Sequence, residues 1–165
     1  MDAIIRRASK NDLPAIVEIL NQGIKTRHSV GYFNARSVQD MQDWFTIHEE
    51  EKYPVFLSLD KKKATGWISL SPYRKDREAF DRTGEISAYI HEDYQRTGIG
   101  QKLLDHILTF AKESGFRIIF AIVFDNNIPS IKLLEKNKFE KWAFFPEIAE
   151  IDGIILNHLY YGARL

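Results

Sequence analysis

Three groups of residues in this chain have types and spacing that could do chemistry. The first is Gln95-Arg96-Thr97-Gly98-Ile99-Gly100, with Gln101 following, set between an apolar stretch and an amphipathic one. Successive main-chain N–H groups in a glycine turn at a helix start form a cradle for anions. The helix dipole adds roughly half a positive charge at that end. Gly98 and Gly100 carry no Cβ, so a bulky phosphate could approach the main chain there. The second is Glu85, a carboxylate opening the preceding apolar stretch, of the type that can take a proton from a reacting group. The third is the pair Arg74 and Arg77 in a polar stretch, whose planar forks suit two-oxygen anions such as carboxylates.

The cradle's residue content narrows its ligand. It lacks the Gly-Lys-Ser/Thr ending of a triphosphate-binding loop and the third glycine of a dinucleotide fingerprint. A pyrophosphate of another kind fits, although a glycine turn alone is also an ordinary strand-to-helix connection. No cysteine occurs, which excludes disulfides, thiolate metal sites and a cysteine nucleophile. The histidines, His28, His48, His91, His106 and His158, show no metal-site spacing, so no metal is expected. His106 falls on a helix and is expected at the surface or rim.

The 23 basic and 23 acidic residues cancel, which argues against nucleic acid or an anionic membrane surface as a partner. No apolar run approaches the ~20 residues that cross a bilayer, and the first residues lack a signal-peptide layout. These features lead us to expect a soluble, cytoplasmic protein with one domain over residues 1–165.

The elements that must position these groups can be read from periodicity. Residues 4–8 predict a strand. Ser9, Asp12 and Pro14 then mark a helix start, and the stripe Leu13, Ile16, Val17, Ile19 and Leu20 follows. Residues 23–35 read as irregular, and a second helix is expected from Ser37 to Ile47. Residues 55–59 and 65–70 read as a hairpin around a charged turn, and 71–82 as a long loop. Residues 85–90 form the next strand. The glycine turn leads into a helix with Leu103, Leu104, Ile107, Leu108 and Ala111 inward. Residues 117–123 are almost continuously apolar, as in a central strand covered on both faces. Asp125-Asn126-Asn127 caps a short helix over 129–136, and strands 139–145 and 154–161 close the chain around Asp152-Gly153. The order predicts an α/β (or α+β) domain with a mixed, mostly antiparallel sheet of about seven strands and helices on both faces.

In this setting the glycine turn resembles the [Arg/Gln]-x-x-Gly-x-[Gly/Ala] motif of the GNAT superfamily of N-acetyltransferases. Asp125-Asn126-Asn127, and the helix ending in Asn137-Lys138-Phe139, are similar to that superfamily's second motif. A narrower resemblance is to the phosphinothricin acetyltransferase-like family. Thr83-Gly84-Glu85-Ile86-Ser87-Ala88-Tyr89-Ile90 is similar to its Thr-Ala-Glu-x-x-x-Tyr-Val strand, and Arg77-Glu78-Ala79-Phe80 to its Arg-x-Ala-Tyr loop. The stretch from Asn21 to Phe33 resembles its first substrate loop, and Phe145-Pro146-x-x-Ala149-x-x-Asp152-Gly153 its closing hairpin. Members acetylate phosphinothricin, methionine sulfoximine, methionine sulfone or related amino acids.

The resemblance implies acetyl-CoA as cosubstrate and a small amino-acid-like amine as acceptor. Ala88, Tyr89 and Ile90 belong to the strand whose backbone takes the pantetheine arm. Gln95, Arg96, Thr97, Gly98, Ile99, Gly100 and Gln101 hold the pyrophosphate, and Asn126 reaches the pantetheine or acetyl end, although an Asn there also suits helix capping. Glu85 becomes the proton acceptor, directly or through water. Arg77 and, less directly, Arg74 become anchors for the acceptor's anion. Tyr32, Phe33 and Tyr73 line the pocket, whereas Trp67 and Phe80 are expected in the core. Many members carry a tyrosine or histidine as proton donor in the helix after the Asp-Asn motif. Here Leu134 falls at or next to that position, leaving the thiolate to water or another side chain. The family's loop reaching towards a neighbouring subunit makes a homodimer the expected state. A protein or peptide N-terminal acetyltransferase and a non-catalytic acyl-CoA-binding sensor are the rival readings.

Overall fold

The computed structural model describes residues 3–27 and 30–165, so His28 lies outside the described residues. The elements run β1 (Ile4–Arg7), α1 (Leu13–Thr26), α2 (Gln42–His48), β2 (Val55–Asp60), β3 (Lys63–Pro72), β4 (Thr83–Ile90), α3 (Ile99–Glu113), β5 (Ile118–Phe124), α4 (Ile128–Lys136), β6 (Glu140–Ile151) and β7 (Ile154–Arg164). The strands form one seven-stranded sheet in the order β1-β2-β3-β4-β5-β7-β6. Only β4 and β5 run parallel; every other neighbouring pair is antiparallel.

Local chemistry sets the helix ends. The Ser9 N–H and hydroxyl both donate to Asp12 Oδ2, at 2.7 and 2.9 Å. The Arg6 guanidinium grips the same carboxylate at 2.7 and 2.9 Å, and this hydrogen-bonded fork is the main reason its pKa falls to about 2. Ser37 and Asp40 exchange bonds of 2.8 and 3.1 Å ahead of α2. α1 continues through Gly23 to Thr26, beyond its expected end, because buried Ile24 prolongs the apolar stripe by one turn. The closing strands also outrun expectation. Pro146 sits at a register shift rather than a strand end, so the hairpin extends to the turn at Asp152 and Gly153.

Two cores lie on opposite faces of the sheet. On the back, α3 sets Leu103, Leu104, Ile107 and Ala111 against Ile68, Leu70, Ile86, Ile119 and Leu159, with Leu134 of α4 among them. Each such side chain is worth about 1.5–3 kcal/mol on burial. On the front, Leu13, Ile16, Val17 and Leu20 of α1 and Phe45 of α2 pack on Val55, Leu57 and Trp67. The Trp67 indole N–H donates to the Ile16 carbonyl at 3.1 Å.

The front core stops near β4, which corrects the expectation that β5 is covered on both faces. Ile119 and Ala121 are buried at the back, but Ile118, Phe120 and Ile122, which alternate to the front, are only half-buried. Phe120 is met there by other strands' aromatic side chains instead of a helix.

Candidate active site

The site begins where two strands part. β4 and β5 pair from Thr83/Ile118 to Ile86/Ala121 and no further. Beyond Ile86, the β4 residues Ser87, Ala88, Tyr89 and Ile90 keep only their pairing with β3. That leaves one strand edge open, and Ala88 on it is exposed. An open edge offers main-chain donors and acceptors to an extended ligand, as in β-augmentation.

A turn at Glu92–Tyr94 follows β4 and delivers the chain into the glycine loop. Arg96 and Gly98 adopt left-handed conformations, with φ of 61° and 88°. The first side-chain anchor is Thr97, whose hydroxyl donates to the Tyr94 carbonyl at 2.5 Å. Among the described residues, the main-chain N–H groups from Arg96 to Gln101 meet no acceptor, and Lys102 N–H is the first to bond back, to Gly98 O at 3.2 Å. The two glycines differ in what they need. A Cβ on Gly98 meets nothing within 4 Å, so its positive φ is what calls for glycine. A Cβ on Gly100 would touch Leu133 at 3.4 Å and Ile90 at 3.9 Å, so that position faces protein rather than the open side of the loop. The Gln101 side chain is turned inward to Asn137, each amide nitrogen donating to the other's oxygen at 2.7 and 3.0 Å. This ties the start of α3 to the end of α4.

Glu85 lies on the front of β4, paired across to Ser71 and Phe120 just before β4 and β5 part. Burial pushes its carboxyl above the ordinary carboxylate range. Among the described residues no hydrogen bond or salt bridge holds that carboxylate. Around it stands an aromatic wall. The Tyr73 ring is 4.9 Å from Phe120, and Phe120 is 5.5 Å from Trp142 and 6.1 Å from Tyr160. Phe145 lies 5.2 Å from Tyr160 on its other side. The phenol of Tyr160 is shifted upward by burial first, then by Glu85 and Tyr73, with Arg74 opposing. Burial also raises the Tyr89 phenol, with Tyr32 and Glu85 adding to the shift. Glu85, Tyr89, Tyr160, Tyr73 and Arg74 therefore share one neighbourhood.

The two expected arginines line one cleft, and Arg74 also reaches the edge of the aromatic wall. The Arg74 guanidinium lies 5.3 Å over the Tyr73 ring, at the edge of the wall. Arg77 and Arg74 both line a cleft of about 290 Å³ between the 72–81 loop and the turn after α2, shared with Glu50, Lys52 and Tyr53. Tyr32 and Phe33 are exposed, and Arg36 stacks 5.0 Å over the Tyr32 ring. Asn21 of α1 holds Arg36 through two main-chain bonds of 2.8 and 2.9 Å, which folds that loop back towards β4. Trp67 is buried as expected, whereas Phe80 is 37% exposed, because the loop that carries it stands outside the core.

At the end of β5, Asn127 rather than Asn126 caps α4, accepting from Ser130 N at 3.3 Å. Asp125 is fastened to Asn157 of β7 by bonds of 3.1 and 2.6 Å, and its chain neighbour Asn126 is half-buried. Leu134 is buried in the back core, where an alkyl side chain has no proton to give. His106 is exposed and edge-on to Phe56, as expected of a surface position. Among the described residues no three His, Asp or Glu side chains gather as metal ligands would, and no helix is long and apolar enough to cross a membrane.

Sequence reasoning missed Phe120, Trp142 and Tyr160. Their alternation on neighbouring strands was visible, but which strands neighbour one another was not.

Comparison with known proteins accounts for this geometry. Residues 16–139 match the Acetyltransferase (GNAT) family. The chain is 36% identical over 150 residues to YwnH of Bacillus subtilis, covering 90% of this chain and 91% of that one. It is 31% identical over 146 residues to the L-methionine sulfoximine/L-methionine sulfone acetyltransferase of Salmonella typhimurium, covering 87% and 84% of the two. Among solved structures, the GNAT superfamily phosphinothricin acetyltransferase (Pat) of Sinorhizobium meliloti, in complex with AcCoA, superposes with a TM-score of 0.93 at 25% identity. That superposition covers 100% of this chain and 89% of the other. The parted strands, the glycine loop and these likenesses agree: the chain belongs to the GNAT acetyltransferase family and is an acetyl-CoA-dependent acetyltransferase.

Proposed function

We propose that the chain acetylates the amino group of a small α-amino-acid-like acceptor of the methionine sulfone, methionine sulfoximine or phosphinothricin type. The observation that carries this reading is Glu85, a half-buried carboxylate with no protein partner among the described residues, facing an aromatic wall edged by Arg74. An ammonium must lose a proton before it reacts, and a carboxylate whose pKa is raised by burial is a better match for that task than a solvated one. The relative of Salmonella typhimurium, named for methionine sulfoximine and sulfone, supports the acceptor class.

Acetyl-CoA supplies an acetyl thioester, an electrophile that a free amine can attack. The residues that suit it are the main chain of Ala88, Tyr89 and Ile90 on the open edge of β4, the loop from Gln95 to Gln101 with its unmet N–H groups, and Asn126 beside the parted strands. Glu85 takes the ammonium proton, directly or through water, while both reactants are held together. Main-chain N–H groups of β4 stabilise charge developing on the acetyl oxygen. With no cysteine in the chain, transfer through a cysteinyl intermediate is closed and the route is direct. Leu134 leaves protonation of the departing thiolate to solvent, which a group with an ordinary pKa near ~8.5 tolerates.

For the acceptor's carboxylate, Arg74 at the edge of the wall and Arg77 in the adjoining cleft are the anchors. Tyr32, Phe33 and Tyr73 complete the pocket. The exposed apolar residues Phe144, Phe145, Ile148, Ile154 and Ile155 on the closing hairpin support a homodimer. A cytoplasmic setting, where acetyl-CoA is made and thiols stay reduced, suits the reaction.

The test is release of free CoA from acetyl-CoA with purified protein. The panel holds phosphinothricin, methionine sulfoximine, methionine sulfone, ordinary amino acids, polyamines and a short peptide. Selective turnover of the methionine analogues is the expected result. Turnover of the peptide alone would give the site to a protein N-terminus.

A further inference from the structure

Tyr160 shares the neighbourhood of Glu85 and Arg74. It lies on the front of β7, paired across to Ile122 of β5, on the same face as Glu85 and Phe120. The rings of Phe120 at 6.1 Å and Phe145 at 5.2 Å hold it on two sides. It is half-buried, and among the described residues its hydroxyl has no hydrogen-bond partner. By contrast, the hydroxyl of the next residue, Tyr161, faces the back and donates to Glu135 at 2.9 Å. A partly buried hydroxyl without a partner is unfavourable unless water or a ligand meets it. Burial raises the Tyr160 pKa, so at neutral pH the phenol keeps its proton and can donate.

The groups around it have the polarity of a zwitterion's binding site. Glu85 is an acceptor for an ammonium, and Arg74 and Tyr160 are donors for an anion. An α-amino acid carries both charges on one carbon. We propose that Tyr160 is a further acceptor-binding residue, whose hydroxyl donates to the acceptor's carboxylate beside Arg74 and so turns the amino group towards Glu85. This assignment rests on the amino-acid acceptor class proposed above. Tyr160 acts here as a donor, not as the base.

The experiment compares wild type and Tyr160→Phe on L-methionine sulfone and on 3-(methylsulfonyl)propan-1-amine, the same molecule without its carboxylate. The amine is followed as a substrate or, where turnover is too slow, as a competitive inhibitor. The expected result is a roughly tenfold or larger rise in KM for the amino acid, the scale of a lost bond to a charged group. The constant for the amine and the KM for acetyl-CoA stay unchanged. Tyr161→Phe serves as the control, losing stability without this selectivity. Equal losses on both acceptors would assign Tyr160 to the amine end and overturn the proposal, as would an unchanged KM for the amino acid. Wild type inert towards every amino acid but active on another amine overturns the acceptor class itself, a separate failure.

Discussion

Burial raises the Glu85 pKa with no cation or hydrogen bond among the described residues to support its charge, and that couples rate to stability at a single residue. As the proposed base Glu85 must be ionised, so kcat/KM should rise with pH through a pKa above the ordinary carboxylate value. In Glu85→Gln that acidic limb disappears and kcat falls by roughly 10²-fold or more, with the KM for acetyl-CoA unchanged. A flat comparison of the two pH profiles would remove Glu85 from the chemistry. The stability effect has the opposite sign. A carboxyl whose folded pKa exceeds its unfolded pKa stabilises the fold only at low pH, and that contribution is lost as pH rises through the folded value. At neutral pH the ionised Glu85 is therefore a liability, and Glu85→Gln should raise Tm on the order of a degree or two. Near pH 3, where both states are protonated, the two proteins should melt together. A lower Tm for the variant at neutral pH would mean that the charge is better solvated than its burial implies.

Elements were legible wherever one continuous run carried its own period. α3 reads directly from Leu103, Leu104, Ile107 and Ala111, and the glycine loop from its position before that run. The aromatic wall was not legible, because it exists only once β5, β7 and β6 lie side by side in that order. No local period states that Trp142 of β6 will lie across Gly162 of β7, or that Phe120 of β5 will stand against it. The same limit hid the contact of Arg74 with the wall, which runs through Tyr73 to Phe120 and exists only once the 72–81 loop stands beside β5. Gly162 makes the element-level dependence testable. A Cβ there would come within 2.2–2.5 Å of the Trp142 indole, closer than side chains ever pack, so the ring must move. Gly162→Ala should cost about 1–3 kcal/mol in urea unfolding, the range for overpacking. It should also raise the acceptor KM more than that for acetyl-CoA, since the wall borders the acceptor site proposed around Glu85. Trp142→Leu combined with Gly162→Ala, which removes the clash, should recover much of the lost stability. A stable Gly162→Ala variant would show that the indole has room to swing away.

At the scale of the molecule, the parted strands are flanked by two segments remote in sequence that meet across the front. The end of α1 runs into the loop whose Tyr32 neighbours Tyr89 on β4, while the tip of the β6–β7 hairpin packs Ile151 and Leu156 on Phe124 at the end of β5. Arg27 joins them. Its Nε lies 3.1 Å from Asp152 in the hairpin turn, and its Nη1 donates to the Phe33 carbonyl at 2.7 Å. Both partners are exposed, so the pair adds only about 0.2–1 kcal/mol, too little to matter for folding. A bias of that size in how the loop and hairpin stand is large enough to read in the KM of an acceptor bound at the proposed site. Asp152 has a φ of 51°, a conformation that asparagine also tolerates, so Asp152→Asn removes the charge without disturbing the turn. At low ionic strength the acceptor KM should rise about two- to fivefold in this variant. The KM for acetyl-CoA should hold, because among the described residues the glycine loop makes no hydrogen bond or ion pair with the hairpin turn. Raising salt to about 1 M should erase the difference, since exposed charges are then screened within ~3 Å. Exchanging the two charges, Arg27→Asp with Asp152→Arg, should restore part of the loss that either single change causes. An acceptor KM in Asp152→Asn equal to wild type at low salt would mean that the two segments stand as they do without the ion pair.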